Sequence, residues 1–345
     1  MCAGCHYHVQ SSLFHSSAPL IRCITHPFMA TPTPSSTPTS TRFAAKAATP
    51  KPLTPLKGVR VLSFALNLPG PAALMRCQQM GATCTKLEPR AHPTAPIGTS
   101  GDPMGLYNRA AYDVLHQGVR VSHADLKTEA GQKILHRELA KTDVLLTSFR
   151  PSALKKLGLE WKVLHRQYPA LSMVAIVGAP GARAEEPGHD LTYLAENNLI
   201  SGLEMPATLY ADMGGSLMAS EAVLQTRLHQ LQKGKGTRIE VALSVAAGYL
   251  ALPRTWGLTI PGAAVGGGHA GYRVYPCADG RVAVAALEPH FAAALGGVVG
   301  LKASHIMAMF APESRAAIAA FFLTQSRPQL ERLALEKDIP LYTMA

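Results

Sequence analysis

At 345 residues the chain is long enough for two domains and a sizeable core. Its composition, 47% hydrophobic and 16% charged, is that of a soluble α/β protein with little charge. No apolar run approaches the roughly 18 residues that cross a bilayer, so a membrane span is not expected. The net charge of +11 favours a polyanionic partner. Its basic residues are scattered, with neither an RNA-binding aromatic signature nor a basic helix, and that sets nucleic acid aside in favour of a phosphate-rich small molecule.

Residues 1–55 are rich in Ser, Thr, Pro and Ala, and no acidic residue precedes Glu88. Such a tract cannot bury enough surface to fold. It reads as an organelle transit peptide carrying Arg22, Arg42 and Lys46, or as an over-extended start with Met29 or a later codon as the real beginning. The compartment expected is cytoplasmic, with organelle import under the first of these readings. Cys2-Ala3-Gly4-Cys5-His6 has the spacing of a c-type haem attachment, and Cys2, Cys5, His6 and His8 could hold zinc. Both rank below chance spacing, so no metal is expected. Cys23, Cys77, Cys84 and Cys277 show no paired spacing, which suits a reducing compartment.

The folded part begins near residue 56. Residues 59–64 read as a buried strand ended by Leu68-Pro69-Gly70-Pro71, residues 72–80 as a helix and 84–87 as a second strand. This turn is not G-x-G-x-x-G, so a nicotinamide or flavin dinucleotide is disfavoured. A loop over 89–108 is followed by a strand (118–126), an amphipathic helix (128–141), a strand (143–149), two short helices and an apolar strand (171–177). Alternation of this kind belongs to a doubly wound parallel sheet, Rossmann-like in type. Helices are expected over 215–231 and 239–256. From Gly266 the character changes, with a hairpin over 272–286 turning at Ala278-Asp279-Gly280, a helix from Glu288-Pro289, and two helices between 312 and 337. The expected organisation is a leader (1–55), a large α/β domain (56–258) and a smaller α+β domain (259–345).

Within the large domain's pattern lies the stretch 188–215, which carries His189-Asp190, an apolar helical run and Asp212 shortly before Gly214-Gly215. Asp212 sits where the N-cap of a helix would. Two titratable groups at the ends of two elements suit the movement of a proton between opposite faces of one carbon. A capping aspartate and an ordinary loop histidine would read the same way.

Leu56-Lys57-Gly58-Val59-Arg60-Val61-Leu62, Pro69-Gly70-Pro71, Met80-Gly81-Ala82 and Lys86-Leu87-Glu88-Pro89 together resemble the opening of class III CoA-transferases. That is the CaiB/BaiF family, which includes the α-methylacyl-CoA racemases. Asp125-Leu126-Lys127, Thr142-Asp143-Val144-Leu145-Leu146, Phe149-Arg150-Pro151, Gly188-His189-Asp190, Ala211-Asp212, Ala278-Asp279-Gly280 and Leu287-Glu288-Pro289 extend the likeness over residues 55–345. The resemblance implies that Asp212 is the family aspartate, a covalent nucleophile in transferases and a proton-transfer base in racemases. It implies that His189 is the second racemase base and that Glu288 orients it. Coenzyme A enters as part of the substrate, not as a separate cofactor. Its contacts are implied at Arg90, at His123 and Asp125, at Arg150, and at Gly188, Asp190 and Tyr193.

Racemisation at the α-carbon of a 2-methylacyl-CoA is therefore the first expectation. A thioester acidifies that carbon, an imidazole titrates in the right range to take its proton, and backbone N–H groups beside Gly214 and Gly215 are expected to hold the enolate oxygen. The alternatives are CoA transfer between carboxylic acids through an aspartyl-CoA at Asp212, and a non-catalytic CoA-binding relative. In place of the family's N-R-G-K-R-S-like segment the chain has Leu115-His116-Gln117-Gly118-Val119-Arg120, poorer in cations. A homodimer is implied. Its interlocking is the weaker implication, because the expected C-terminal return to the large domain is absent or very short.

Overall fold

The computed structural model describes residues 53–91, 100–302 and 305–345. The leader and its Cys2–His8 cluster lie outside the described residues. Strand β1 (Arg60–Ser63), helix α1 (Pro69–Gln79) and strand β2 (Thr83–Glu88) follow in the expected order. Strand β1 stops at Ser63, and Pro69 starts α1, where the missing proline N–H goes unnoticed. Helices α2 (Pro103–Tyr107) and α3 (Arg109–Leu115) lead to β3 (Arg120–His123), then α4 (Glu129–Leu139) and β4 (Val144–Thr147). Helices α5 (Pro151–Lys156) and α6 (Trp161–Gln167) precede β5 (Ser172–Val177). Helices α7 (Asp190–Glu196) and α8 (Tyr210–Lys233), strand β6 (Arg238–Ala242), and helices α9 (Leu243–Leu250) and α10 (Leu252–Thr255) complete this layer.

The six strands form one sheet in the order β3-β2-β1-β4-β5-β6, every neighbouring pair parallel. Alternate residues explain why both faces are covered. Val61, Val144, Leu146, Val174 and Ile176 pack with Leu74 of α1 and Val223 of α8. Their neighbours Leu62, Leu145 and Ala175 pack on the other face with Leu135 and Leu139 of α4 and Leu164 of α6. Near-continuous apolar runs are what a parallel sheet buried on both faces requires.

Several elements of this layer depart from expectation. Residues 239–242, read as the start of a long helix, form β6. Ile239 and Val241 alternate over too few residues to stand out from the apolar helix behind them, and pairing with Met173–Val177 decides the matter. Helix α8 begins at Tyr210, five residues before the expected start. The loop over 89–108 contains α2, capped by Asp102. The strand expected over 118–126 contracts to β3.

The remaining chain builds an antiparallel sheet in the order β7-β8-β9, from β7 (Tyr272–Cys277), β8 (Gly280–Ala285) and β9 (Leu341–Met344), the last not anticipated. Helices α11 (Pro289–Val299), α12 (Pro312–Leu323) and α13 (Arg327–Glu336) contribute Leu295, Ile318, Phe322 and Leu330 to its core with Tyr275, Val282 and Val284.

Candidate active site

The strand order reverses between β1 and β4, so the chain leaves their carboxyl ends in opposite directions and opens a crevice. A cavity of about 160 Å³ occupies it. Leu66, Asn67 and Pro69 after β1, Ser148 and Arg150 after β4, and Gly178 after β5 line it together with Gly188, His189, Tyr193 and Asp212. The topology thus brings together residues that are widely separated in the chain.

His189 immediately precedes α7. Its backbone N–H donates to Thr192 Oγ1 at 3.1 Å, and that hydroxyl donates back to the His189 carbonyl at 2.7 Å. The backbone cap is closed without the imidazole, which stays exposed at the cavity. Asp212 is not the cap of α8. Leu209 holds that position, and Asp212 is the third helical residue. Its N–H, one of the first-turn donors with no partner inside the helix, is taken by Asp190 Oδ1 at 3.0 Å. A helix start favours a negative charge. Burial and the neighbouring charge of Asp190 nonetheless push the Asp212 carboxyl up to about 6, against a smaller opposing effect of His189. The result is a carboxyl that changes state near neutrality beside an imidazole.

Gly214 and Gly215 do not present donors to this cavity. Met213 N–H reaches the Leu209 carbonyl at 3.0 Å, and α8 continues in that register through both glycines. Their bareness serves packing instead. A Cβ on Gly214 would stand 3.1 Å from Leu250 Cδ1, and one on Gly215 would run into Leu243 of α9. A different donor faces the cavity. The Tyr193 hydroxyl lies over Gly178 and Gly188, and a Cβ on Gly188 would meet it at 2.5 Å. Burial, then the charge of Asp212, raise the Tyr193 hydroxyl's pKa, so it remains a protonated donor.

A second cavity of about 630 Å³ adjoins the first through Phe149. Leu87, Ala124, Leu126, Ala153 and Leu157 make it apolar, with Lys127 and Lys156 among its walls. Asp125 belongs to this lining, but its carboxylate already accepts the Lys127 N–H at 3.0 Å and so holds the turn into α4. Arg90 and His123 are exposed and lie outside both linings. Glu288 is the exposed N-cap of α11 and lines neither cavity of its own chain. The structure therefore gathers His189, Asp212, Arg150, Gly188 and Tyr193, with Asp190 beneath, and leaves Glu288, Arg90 and His123 apart.

Sequence reasoning passed over a buried charge network next to these cavities. Lys86, Glu88 and Asp102 are fully buried. Lys86 Nζ lies 2.9 Å from Glu88 Oε1 and 2.8 Å from His116 Nε2, and pairs with Asp102 Oδ2. Tyr112 and Ser100 hydroxyls donate to Glu88 at 2.9 and 2.5 Å. Burial works to raise the Glu88 carboxyl, but the Lys86 charge and these donors hold it below its ordinary value. Glu88, Asp102 and His116 would also suit a metal ion, their ligand atoms lying within 4.8 Å of one another. The ammonium of Lys86 already bonds to all three. The available signal was Lys86 and Glu88 two apart in a strand buried from Cys84 to Glu88, which demands partners. The segment around 115–120 is likewise taken up in structure: His116 by Lys86, and Arg120 by Glu138 at 2.6 Å and Thr85 at 3.1 Å.

The family model for CoA-transferase family III matches residues 56–344. Over 296 residues the sequence is 28% identical to alpha-methylacyl-CoA racemase of Mus musculus, covering 79% of this chain and 73% of that one. It is 35% identical over 151 residues to cinnamoyl-CoA:phenyllactate CoA-transferase of Clostridium sporogenes, covering 42% of this chain and 36% of that one. The fold matches the crystal structure of Rv3272 from Mycobacterium tuberculosis at a TM-score of 0.70, with 22% identity over 84% of this chain and 85% of that one. No helix among the described residues is long and apolar enough to cross a membrane.

Proposed function

The chain belongs to CoA-transferase family III, and from that premise we propose that it inverts the α-carbon of a 2-methylacyl-CoA thioester. One group takes the α-proton, the electrons of the C–H bond pass to the thioester oxygen as an enolate, and the other group returns a proton to the opposite face. His189 and Asp212 are the two groups, one entering each turnover protonated and the other not. Asp190 keeps Asp212 in place and raises its affinity for a proton. Tyr193 donates to the enolate oxygen, the role first expected of the glycine backbone. The observation that carries this reading is a carboxyl held near pH 6 in one small cavity with an imidazole.

The thioester's acyl end belongs in the smaller cavity and the nucleotide end in the larger one, where Lys127 and Lys156 offer charge to phosphate. Arg150 lines the first cavity, next in the chain to the Phe149 shared by both. Glu288 can orient His189 only across a contact with a second copy of the chain. Exposed apolar side chains along α8 and α9, among them Met213, Leu217, Leu228, Leu231, Val245 and Tyr249, supply a surface for such a homodimer. Co-expressed Asp212→Ala and Glu288→Gln chains would then regain activity that neither has alone.

A second reading is CoA transfer between carboxylic acids. Asp212 would attack the thioester carbonyl and expel CoA thiolate, leaving a mixed anhydride. The thiolate would attack the aspartyl carbonyl, releasing the first carboxylate and leaving aspartyl-CoA. The acceptor carboxylate would then run the two steps in reverse to leave with CoA and free Asp212. Glu288's absence from the lining of the His189 cavity favours it, since an unoriented imidazole is a less effective base. Incubation with acyl-CoA in D2O separates the readings: the racemase incorporates one deuterium at the α-carbon, and the transferase forms an Asp212 adduct without incorporation. Binding of CoA with neither outcome would indicate a non-catalytic relative.

A further inference from the structure

The geometry points to Asp102 as a positioning residue for the reaction cavity, acting through the turn at Asn67 and anchored by the buried ammonium of Lys86. Asp102 faces two ways. Its Oδ2 meets Lys86, while Oδ1 accepts the N–H of Asn67 at 3.0 Å and that of Met104 at 2.9 Å. Asn67 stands at a φ of 64°, in the left-handed region that asparagine enters more readily than other side chains, and its N–H is fixed there by Asp102. Leu66, Asn67 and Pro69 form the wall of the cavity that also contains His189 and Asp212.

The network is closed, which is why it can act as an anchor. Three ammonium protons of Lys86 meet three acceptors: Glu88, Asp102 and the Nε2 of His116. Accepting at Nε2 places the imidazole proton on Nδ1, which donates to the Tyr112 carbonyl at 2.6 Å. Burial, then the charge of Lys86, lower the His116 pKa and keep the ring in this neutral form. Ser100 Oγ accepts the N–H of Asp102 at 2.9 Å and donates to Glu88. Glu88 in turn lines the larger cavity. One buried network thus joins a wall of the cavity assigned to the nucleotide end to a wall of the cavity assigned to the acyl end. Its function would be to keep those two walls in register, because a displacement of about 1 Å at reacting groups can cost 100-fold in rate.

This inference rests on the proposed chemistry only for its catalytic consequence, and the test separates the two. Asp102→Ala, Asp102→Asn and a core control on the far face of the sheet, Leu164→Ala, are compared by hydrogen–deuterium exchange and by α-proton exchange with acyl-CoA. Asp102→Ala is expected to exchange amides in a peptide containing residues 66–68 at least about tenfold faster than wild type. Its kcat should fall about 10- to 100-fold while binding of free CoA stays within about threefold. Asp102→Asn, which retains an acceptor for the turn, should recover most of the amide protection. Leu164→Ala should lower stability without this split. Wild-type protection at 66–68 in a folded Asp102→Ala protein would overturn the inference, as would a parallel loss of kcat and CoA binding. If Asp102→Ala does not fold, Ser100→Ala carries the same readouts, since it removes two bonds of the network and no charge. A wild-type protein inactive on every acyl-CoA would refute the proposed function, and amide exchange alone would then decide whether Asp102 holds the turn.

Discussion

Glu88 is fully buried and Asp212 half-buried, and their surroundings leave the two carboxylates in opposite states. For each, burial is the largest influence and raises the pKa. Glu88 has an ammonium and two hydroxyls around it, and ends below its ordinary value. Asp212 has another carboxylate, Asp190, as its close neighbour and ends near 6. Burial with full compensation makes a structural anchor. Burial without it leaves a group poised to exchange a proton, at some expense in stability.

The sharpest way to break this contrast is to remove the reactive groups. His189→Ala or Asp212→Ala should lower α-proton exchange by about 10²- to 10⁴-fold, measured by mass spectrometry in D2O, with the fold retained. Lys86→Met attacks the other side of the contrast. It leaves two buried carboxylates uncompensated and should cost about 3–5 kcal/mol in urea unfolding at pH 7. A loss under 1 kcal/mol would mean that water already reaches the network.

Replacing Asp212 by Asn should have the reverse sign. With a folded pKa of about 6 against 3.8 for the free group, the native state binds more protons between those values, so stability falls as pH rises through that window. Asp212→Asn escapes this loss. It should be more stable than wild type by up to about 3 kcal/mol at pH 8, and the difference should vanish below pH 4. The smallest effect belongs to Asp190→Asn, which keeps the acceptor for the Asp212 N–H and removes a charge. The acid limb of the pH–rate profile should move downward by less than about one unit. An upward movement would reverse the electrostatic account of Asp212.

Much of the parallel layer could be read from residues such as Val144-Leu145-Leu146 and Val174-Ala175-Ile176, whose apolar runs are long enough to mark buried strands. Strand β6 could not, because Ile239-Glu240-Val241 is short and its pairing with β5 is set by residues some 65 positions earlier. His189 and Asp212 stood out as titratable groups at element ends. Their meeting in one cavity depends on the reversal of strand order, which local periodicity does not encode. Asp212 looked like a cap because it precedes Gly214-Gly215. Those glycines proved to be the contact that lets α8 lie against α9. The Lys86 network was hidden for a related reason: Ser100, Asp102, Tyr112 and His116 converge on β2 only after α2 and α3 have folded back.

The central claim is that a half-buried carboxyl lacking a compensating cation moves protons with the imidazole beside it. Its most direct test is the pH dependence of deuterium incorporation at the α-carbon of a 2-methylacyl-CoA. The account predicts one deuterium per molecule, a rate that changes with an apparent pKa near 6, and loss of incorporation in both His189→Ala and Asp212→Ala. Undiminished incorporation in Asp212→Ala, or transfer of CoA to an acceptor acid with no deuterium gained, would contradict it.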